Sequence, residues 1–87
     1  MLQIRKSVMS YTYYFRYNDK KETPLDTEIA ELINWTLDEY RKFMLDNYKC
    51  IINKKLNQLR FIDRKDAQKA CDFINSRIVL DVLSINN

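Results

Sequence analysis

The chain of 87 residues has no glycine and no histidine, and only one proline, one tryptophan and two cysteines. Each shortage removes a class of function. Without glycine there is no Walker-type or dinucleotide-binding loop, whose backbone must approach phosphate closely. Turns that need positive φ have to fall on asparagine or aspartate, the next most tolerant residues. Asn18, Asn47, Asn53 and Asn75 each stand at a break expected on other grounds. Without histidine the usual general base, the commonest metal ligand and every Ser-His or Cys-His pairing are gone. Cys50 and Cys71 form no C-x-x-C pair and are expected to be reduced, buried thiols. A zinc site would need thiols and carboxylates alone, so neither metal nor cofactor is expected. No apolar run approaches the roughly 20 residues of a membrane span. The opening MLQIRKSVMS lacks a signal-peptide core, and the expectation is a cytoplasmic protein that does not enter a membrane.

What is present is a globular composition, 46% hydrophobic and 31% charged, sufficient for one domain over residues 1–87. Net charge is +3. Residues 1–44 balance seven basic against seven acidic, whereas 47–69 hold seven basic and two acidic. This mild basic patch suits nucleic acid, an acidic protein surface, or plain solvation.

The clearest unit is Lys54–Ile74. Leu59 and Phe61 alternate with Gln58 and Arg60, the period of a half-buried strand. Asp63 then stands where a helix N-cap belongs, with Asp66 three residues on. Ala67, Ala70, Cys71 and Ile74 follow as a small-residue stripe that lets the helix approach a sheet closely.

Upstream, Val8–Asn18 predicts a strand with Tyr11, Tyr13, Phe15 and Tyr17 on one face and Thr12, Tyr14, Arg16 and Asn18 on the other. Leu2–Arg5 is either an extra edge strand or a lead-in. A polar turn over 18–22 leads to a first helix capped by Thr23, with Pro24 at its first position and Asp26 at N3. Its apolar arc, from Leu25 through Ile29, Ile33, Leu37 and Tyr40 to Met44, predicts one helix to about Asp46. Tyr48–Asn53 reads as a short strand, or alternatively as more of that helix. Past Ser76 a helix would turn Arg77 and Asp81 into its own apolar stripe. The β-branched run 77–85 is therefore read as a strand after an Asn75-Ser76 turn. The expected fold is α+β: a single-domain ferredoxin-like βαββαβ with two helices on one face of an antiparallel sheet.

The run LRFIDRKDAQKACDFIN resembles the third strand and second helix of the RNA recognition motif family. Alignment on Ala67 puts Leu56 and Gln58 where that family presents stacking aromatics, and Lys54 on the basic residue that opens its motif. The likeness covers about 20 residues and implies the fold without the aromatic platform. The glycine-poor, Lys/Asn/Tyr-rich composition also resembles small bacteriophage accessory and anti-defence proteins. That resemblance implies a phage-encoded inhibitor or modulator occupying a surface of a host or defence complex.

Catalysis is the least favoured class, since only carboxylates and lysines remain as acid–base groups. The leading expectation is a small protein-binding domain with Trp35 as anchor. Trp35 falls outside the helix arc, beside Glu28, Glu31, Glu39 and Lys42, and tryptophan on a charged face is a recurrent interface residue. The alternative is a domain for single-stranded RNA or DNA that uses Tyr14, Arg16, Lys54 and Arg60 on an open sheet face. A free edge strand leaves self-association open as well.

Overall fold

The computed structural model describes residues 2–17 and 20–86. In chain order the elements are β1 (Leu2–Ser7), β2 (Ser10–Tyr17), β3 (Lys20–Glu22), α1 (Asp26–Leu32), α2 (Leu37–Asn47), β4 (Cys50–Asn53), β5 (Gln58–Phe61) and α3 (Arg64–Asn86). The sheet is antiparallel in the order β1-β2-β5-β4, and β3 adds to β2 beside β5. The α+β class is as expected. The ferredoxin-like order is not, because three strands precede two helices and the chain closes on a helix.

The strand–helix corner forms as its spacing predicts. Leu59 and Phe61 are buried on β5, and Ala67, Ala70, Cys71 and Ile74 are buried on α3. The Ala67 N–H bonds to the Asp63 carbonyl, so Asp63 opens the helix. Leu2 and Tyr13 complete the same sheet face, and α1 and α2 add Ile29, Ile33, Tyr40 and Met44 to one continuous core. All three helices thus lie against a single face of the sheet.

Three expectations are corrected. The strand expected over 8–18 forms as β2, but only from Ser10: Val8 and Met9 are a two-residue connection from Ser7, so β2 is the second arm of a hairpin whose first arm is the edge strand β1. Val8 adopts φ 56°, a conformation unfavourable for a β-branched residue. Asn18 lies outside the described residues.

The first helix is two helices. Thr23 does not cap it: α1 begins at Asp26, and the Glu28 carboxylate accepts from the Leu25 N–H. The chain breaks at Asn34, with φ 60°, and restarts at Thr36. There the Thr36 hydroxyl accepts from the Glu39 N–H while the Glu39 carboxylate accepts from the Thr36 N–H. This reciprocal cap fixes a new helix start. The apolar arc runs on across the break because both helices face one core, which is why spacing alone suggested one element.

Residues 77–85 are helical and continue α3. The stripe does receive Arg77, but its guanidinium lies 5.5 Å from the centre of the Trp35 ring. A cation over an aromatic face is a stable arrangement, so the half-buried Arg77 that argued against a helix is accommodated by the ring, while its Nε makes no hydrogen bond. Asn75 is no turn. Within α3 its amide bonds both the N–H and the carbonyl of Leu2, each at 2.9 Å, taking the place of a strand beyond β1.

Candidate functional site

The Trp35 surface is built by the helix break. Asn34 turns the chain and Trp35 drops against α2 and α3, where its ring meets Phe43 edge-on at 5.3 Å and Phe73 at 5.8 Å. Phe43 and Phe73 stack at 4.6 Å. Trp35 is therefore half-buried in an aromatic cluster, with one side open to a shallow groove of about 300 Å³ lined by Glu39, Lys42, Phe43, Asp46 and Asn47. Of the predicted set, Trp35, Glu39 and Lys42 come together. Glu31 does not join them. It lies with Glu22 and Glu28 around Phe15 and Leu32, at a separate hollow of about 520 Å³.

The alternative set is also divided. Tyr11 pairs with Phe61 on the core side, so Thr12, Tyr14 and Arg60 belong to the face away from the helices. The Tyr14 hydroxyl donates to the Gln3 side chain. Arg16 occupies the β2 position paired with Lys21, and Lys54 is exposed in the turn after β4. Thr12, paired with Arg5, is buried although it lies on this face. The long side chains around it cover the middle of the sheet.

Sequence reasoning missed the surface at the hairpin end of that same face. Val8 is 90% exposed, Met9 88%, Ile51 58% and Ile62 55%. They surround a groove of about 430 Å³ that also takes in Arg60 and Asn53. Ile51 and Arg60 are directly paired across β4 and β5. A four-residue aliphatic surface is a concentration that a chain of this size ordinarily buries. The available signal was the alternation itself, which sends Ile51 and Ile62 to the face opposite Leu59 and Phe61.

Charge is divided along the chain. Residues 22–46, containing α1 and α2, hold seven acidic and two basic residues; 47–69, containing β4, β5 and the start of α3, hold two and seven; 1–21 hold one and five. The nominal +3 therefore conceals an acidic α1–α2 segment and a basic segment from β4 to the start of α3.

Inside the domain, Asp26 is buried and ties three segments together. Its carboxylate accepts from the Leu59 N–H at 2.9 Å and from the Arg41 Nε at 3.0 Å, and Arg41 also donates to Asn57. Burial nonetheless raises the Asp26 pKa, with the Leu59 N–H and Arg41 opposing it. Asn57, at φ 54°, holds the β4–β5 turn and accepts the Asp26 N–H on its carbonyl. Nearby, the phenols of Tyr13 and Tyr40 are buried close to one another, and neither hydroxyl has a hydrogen-bond partner other than the facing phenol. Burial raises both pKa values, and each phenol perturbs the other. Burial also pushes the thiols of Cys50 and Cys71 up to about 11, which leaves both protonated and weakly nucleophilic.

Among the described residues no group of three or more Cys, Asp or Glu is placed to hold a metal ion, and no helix is long and apolar enough to cross a membrane. No protein family, characterised protein or solved structure matches the chain.

Proposed function

We propose that this is a non-enzymatic binding protein that acts by protein–protein contact. The observation that carries the reading is the exposed aliphatic surface of Val8, Met9, Ile51 and Ile62 at the hairpin end of the sheet. Leaving this much apolar area in water is unfavourable, by about 25 cal/mol per Å² relative to covering it, and a partner surface covers it. The Trp35 groove, braced by Phe43 and Phe73, is the second contact surface of the reading. The role of a phage-encoded inhibitor or modulator of a host or defence complex belongs to the same reading and rests on compositional resemblance. The test is capture of partners from host-cell lysate, with and without nuclease, by the wild-type chain and by Ile51→Ser and Trp35→Ala variants. A protein retained after nuclease and lost with one of these variants supports contact. Capture of nothing, by any of the three, removes the proposal.

The second reading, single-stranded nucleic-acid binding, is favoured by the seven basic residues of 47–69 against two acidic ones. It predicts affinity for an oligonucleotide that falls steeply with salt. Affinity that is absent, or indifferent to salt, rules it out.

A further inference from the structure

We infer that the groove between the β1–β2 hairpin and the β4–β5 face takes an acidic protein segment that also carries aliphatic side chains. This deepens the protein-contact reading and rests on it.

The groove is lined by Val8 and Met9 from the hairpin, Ile51 from β4 and Ile62 just past β5, together with Arg60 and Asn53. Arg60 lines it, and the segments flanking β4 and β5 are rich in basic residues. Lys49, Lys54, Lys55, Arg64 and Lys65 are all exposed on the segments that border β4 and β5, and Asp63 is the one carboxylate among the exposed residues of 49–65. An occupant must therefore match two features at once: apolar area to cover the walls and negative charge to meet Arg60 and the lysines. An extended or helical segment alternating carboxylates with Leu, Ile or Val does both.

Other occupants fit less well. Among the described residues no aromatic side chain lines the groove, so the stacking that gives single-stranded nucleic acid its affinity has no platform there. A lipid surface meets protruding apolar residues, whereas Arg60 and Asn53 line this groove along with the apolar side chains. A second copy related by a two-fold axis would bring basic rims together. The hairpin connection adds a structural reason to regard the walls as placed for contact. Val8 holds a φ of 56° that asparagine or glycine would adopt more readily, and does so with its side chain almost wholly in solvent. A residue that is locally unfavourable and contributes nothing to the core is consistent with a role outside the chain.

The experiment uses the full chain and fluorescence anisotropy with three short labelled peptides. One alternates glutamate with leucine and valine, one has the aliphatic residues replaced by serine, and one has the glutamates replaced by lysine. The first binds; each of the others binds at least about tenfold more weakly. Ile51→Ser and Arg60→Glu each weaken the first peptide by about tenfold or more, while Asp38→Lys, at an exposed position of α2 away from both grooves, leaves it unchanged. Thermal unfolding of each variant accompanies the binding data. Because Val8→Asn suits the backbone and removes only the exposed side chain, it keeps the test decisive where a strand variant is poorly folded. Equal binding of the glutamate–leucine and glutamate–serine peptides overturns the inference. So does preference for an oligothymidylate, for phosphatidylserine vesicles, or for self-association blocked by Ile51→Ser. If lysate capture depends on Trp35 but not on Ile51 or Arg60, this inference fails and the protein-contact reading stands. If it depends on none of them, both fail.

Discussion

The Arg77 guanidinium stands 5.5 Å from the centre of the Trp35 ring, joining the helix break to the last helix. The pair sets the standing of Trp35 as an anchor, since a ring already touching Phe43, Phe73 and Arg77 contributes to the fold as well as to any contact. Trp35→Ala is expected to cost about 2 kcal/mol, below the range for a fully buried aromatic because the ring is half-exposed. Urea denaturation measures it. A loss below about 0.5 kcal/mol would assign Trp35 to contact alone.

Arg41 neutralises a buried carboxylate. Arg41→Met is expected to cost about 3 kcal/mol near neutral pH, because it leaves Asp26 buried without its cation. The penalty shrinks in acid, where Asp26 is protonated. Urea midpoints across pH report the difference, and a pH-independent penalty contradicts this account.

Asp26 also shapes the pH dependence of the wild-type chain. Burial raises its folded pKa above the unfolded value, so the folded chain holds that proton more tightly. The resulting stabilisation is fully present below the ordinary carboxylate range and is lost as pH rises through the raised pKa. Asp26→Asn removes this component, and its stability relative to wild type therefore improves as pH rises through that interval. Paired pH titrations of the urea midpoint check the sign.

The buried phenols give a substitution that is expected to do no harm. Tyr40→Phe removes a buried hydroxyl whose only hydrogen-bonding neighbour is the Tyr13 phenol and keeps the ring, so stability stays level or rises by about 1 kcal/mol. A loss of more than about 1 kcal/mol by calorimetry would mean that the hydroxyl is bonded in solution.

The thiols are predicted to be slow. With both pKa values near 11, Cys71 buried and Cys50 partly covered, a disulfide-exchange reagent such as DTNB at neutral pH modifies them appreciably only after urea is added. Rapid labelling of Cys71 in the native chain would contradict its burial.

What the sequence disclosed follows from which forces act locally. The corner from Gln58 to Ile74 was legible because alternation, cap and stripe agree there, and every residue of that stripe is buried. The break at Asn34 was written in the Thr36-x-x-Glu39 capping box, yet the hydrophobic spacing spans it and periodicity outweighed the cap. Positive φ fell on asparagine at Asn34 and Asn57, not at Asn47, Asn53 or Asn75 where breaks were expected, and also on Val8, where no propensity favours it. Arg77 was legible as a polar residue in an apolar stripe; that a ring 42 positions earlier would receive it is a tertiary fact. The hairpin-end groove needs β1–β2 and β4–β5 brought together, which no single segment specifies.

The amide of Asn75 grips Leu2 across 73 positions of chain, and that separation has a consequence for how the domain is made. A ribosome delivers β1 first and α3 last. Until α3 has emerged, the outer edge of β1 has no Asn75 to occupy it, and the core face shared by Leu2 and Tyr13 lacks the helix that covers it. Closing so long a loop carries an entropic cost that the late helix must offset. Partial chains therefore expose an unpaired strand edge beside apolar surface, the combination most prone to wrong pairing. Completion of this fold waits for α3, and nascent chains stalled before Asn75 are the species a cell would have to shield.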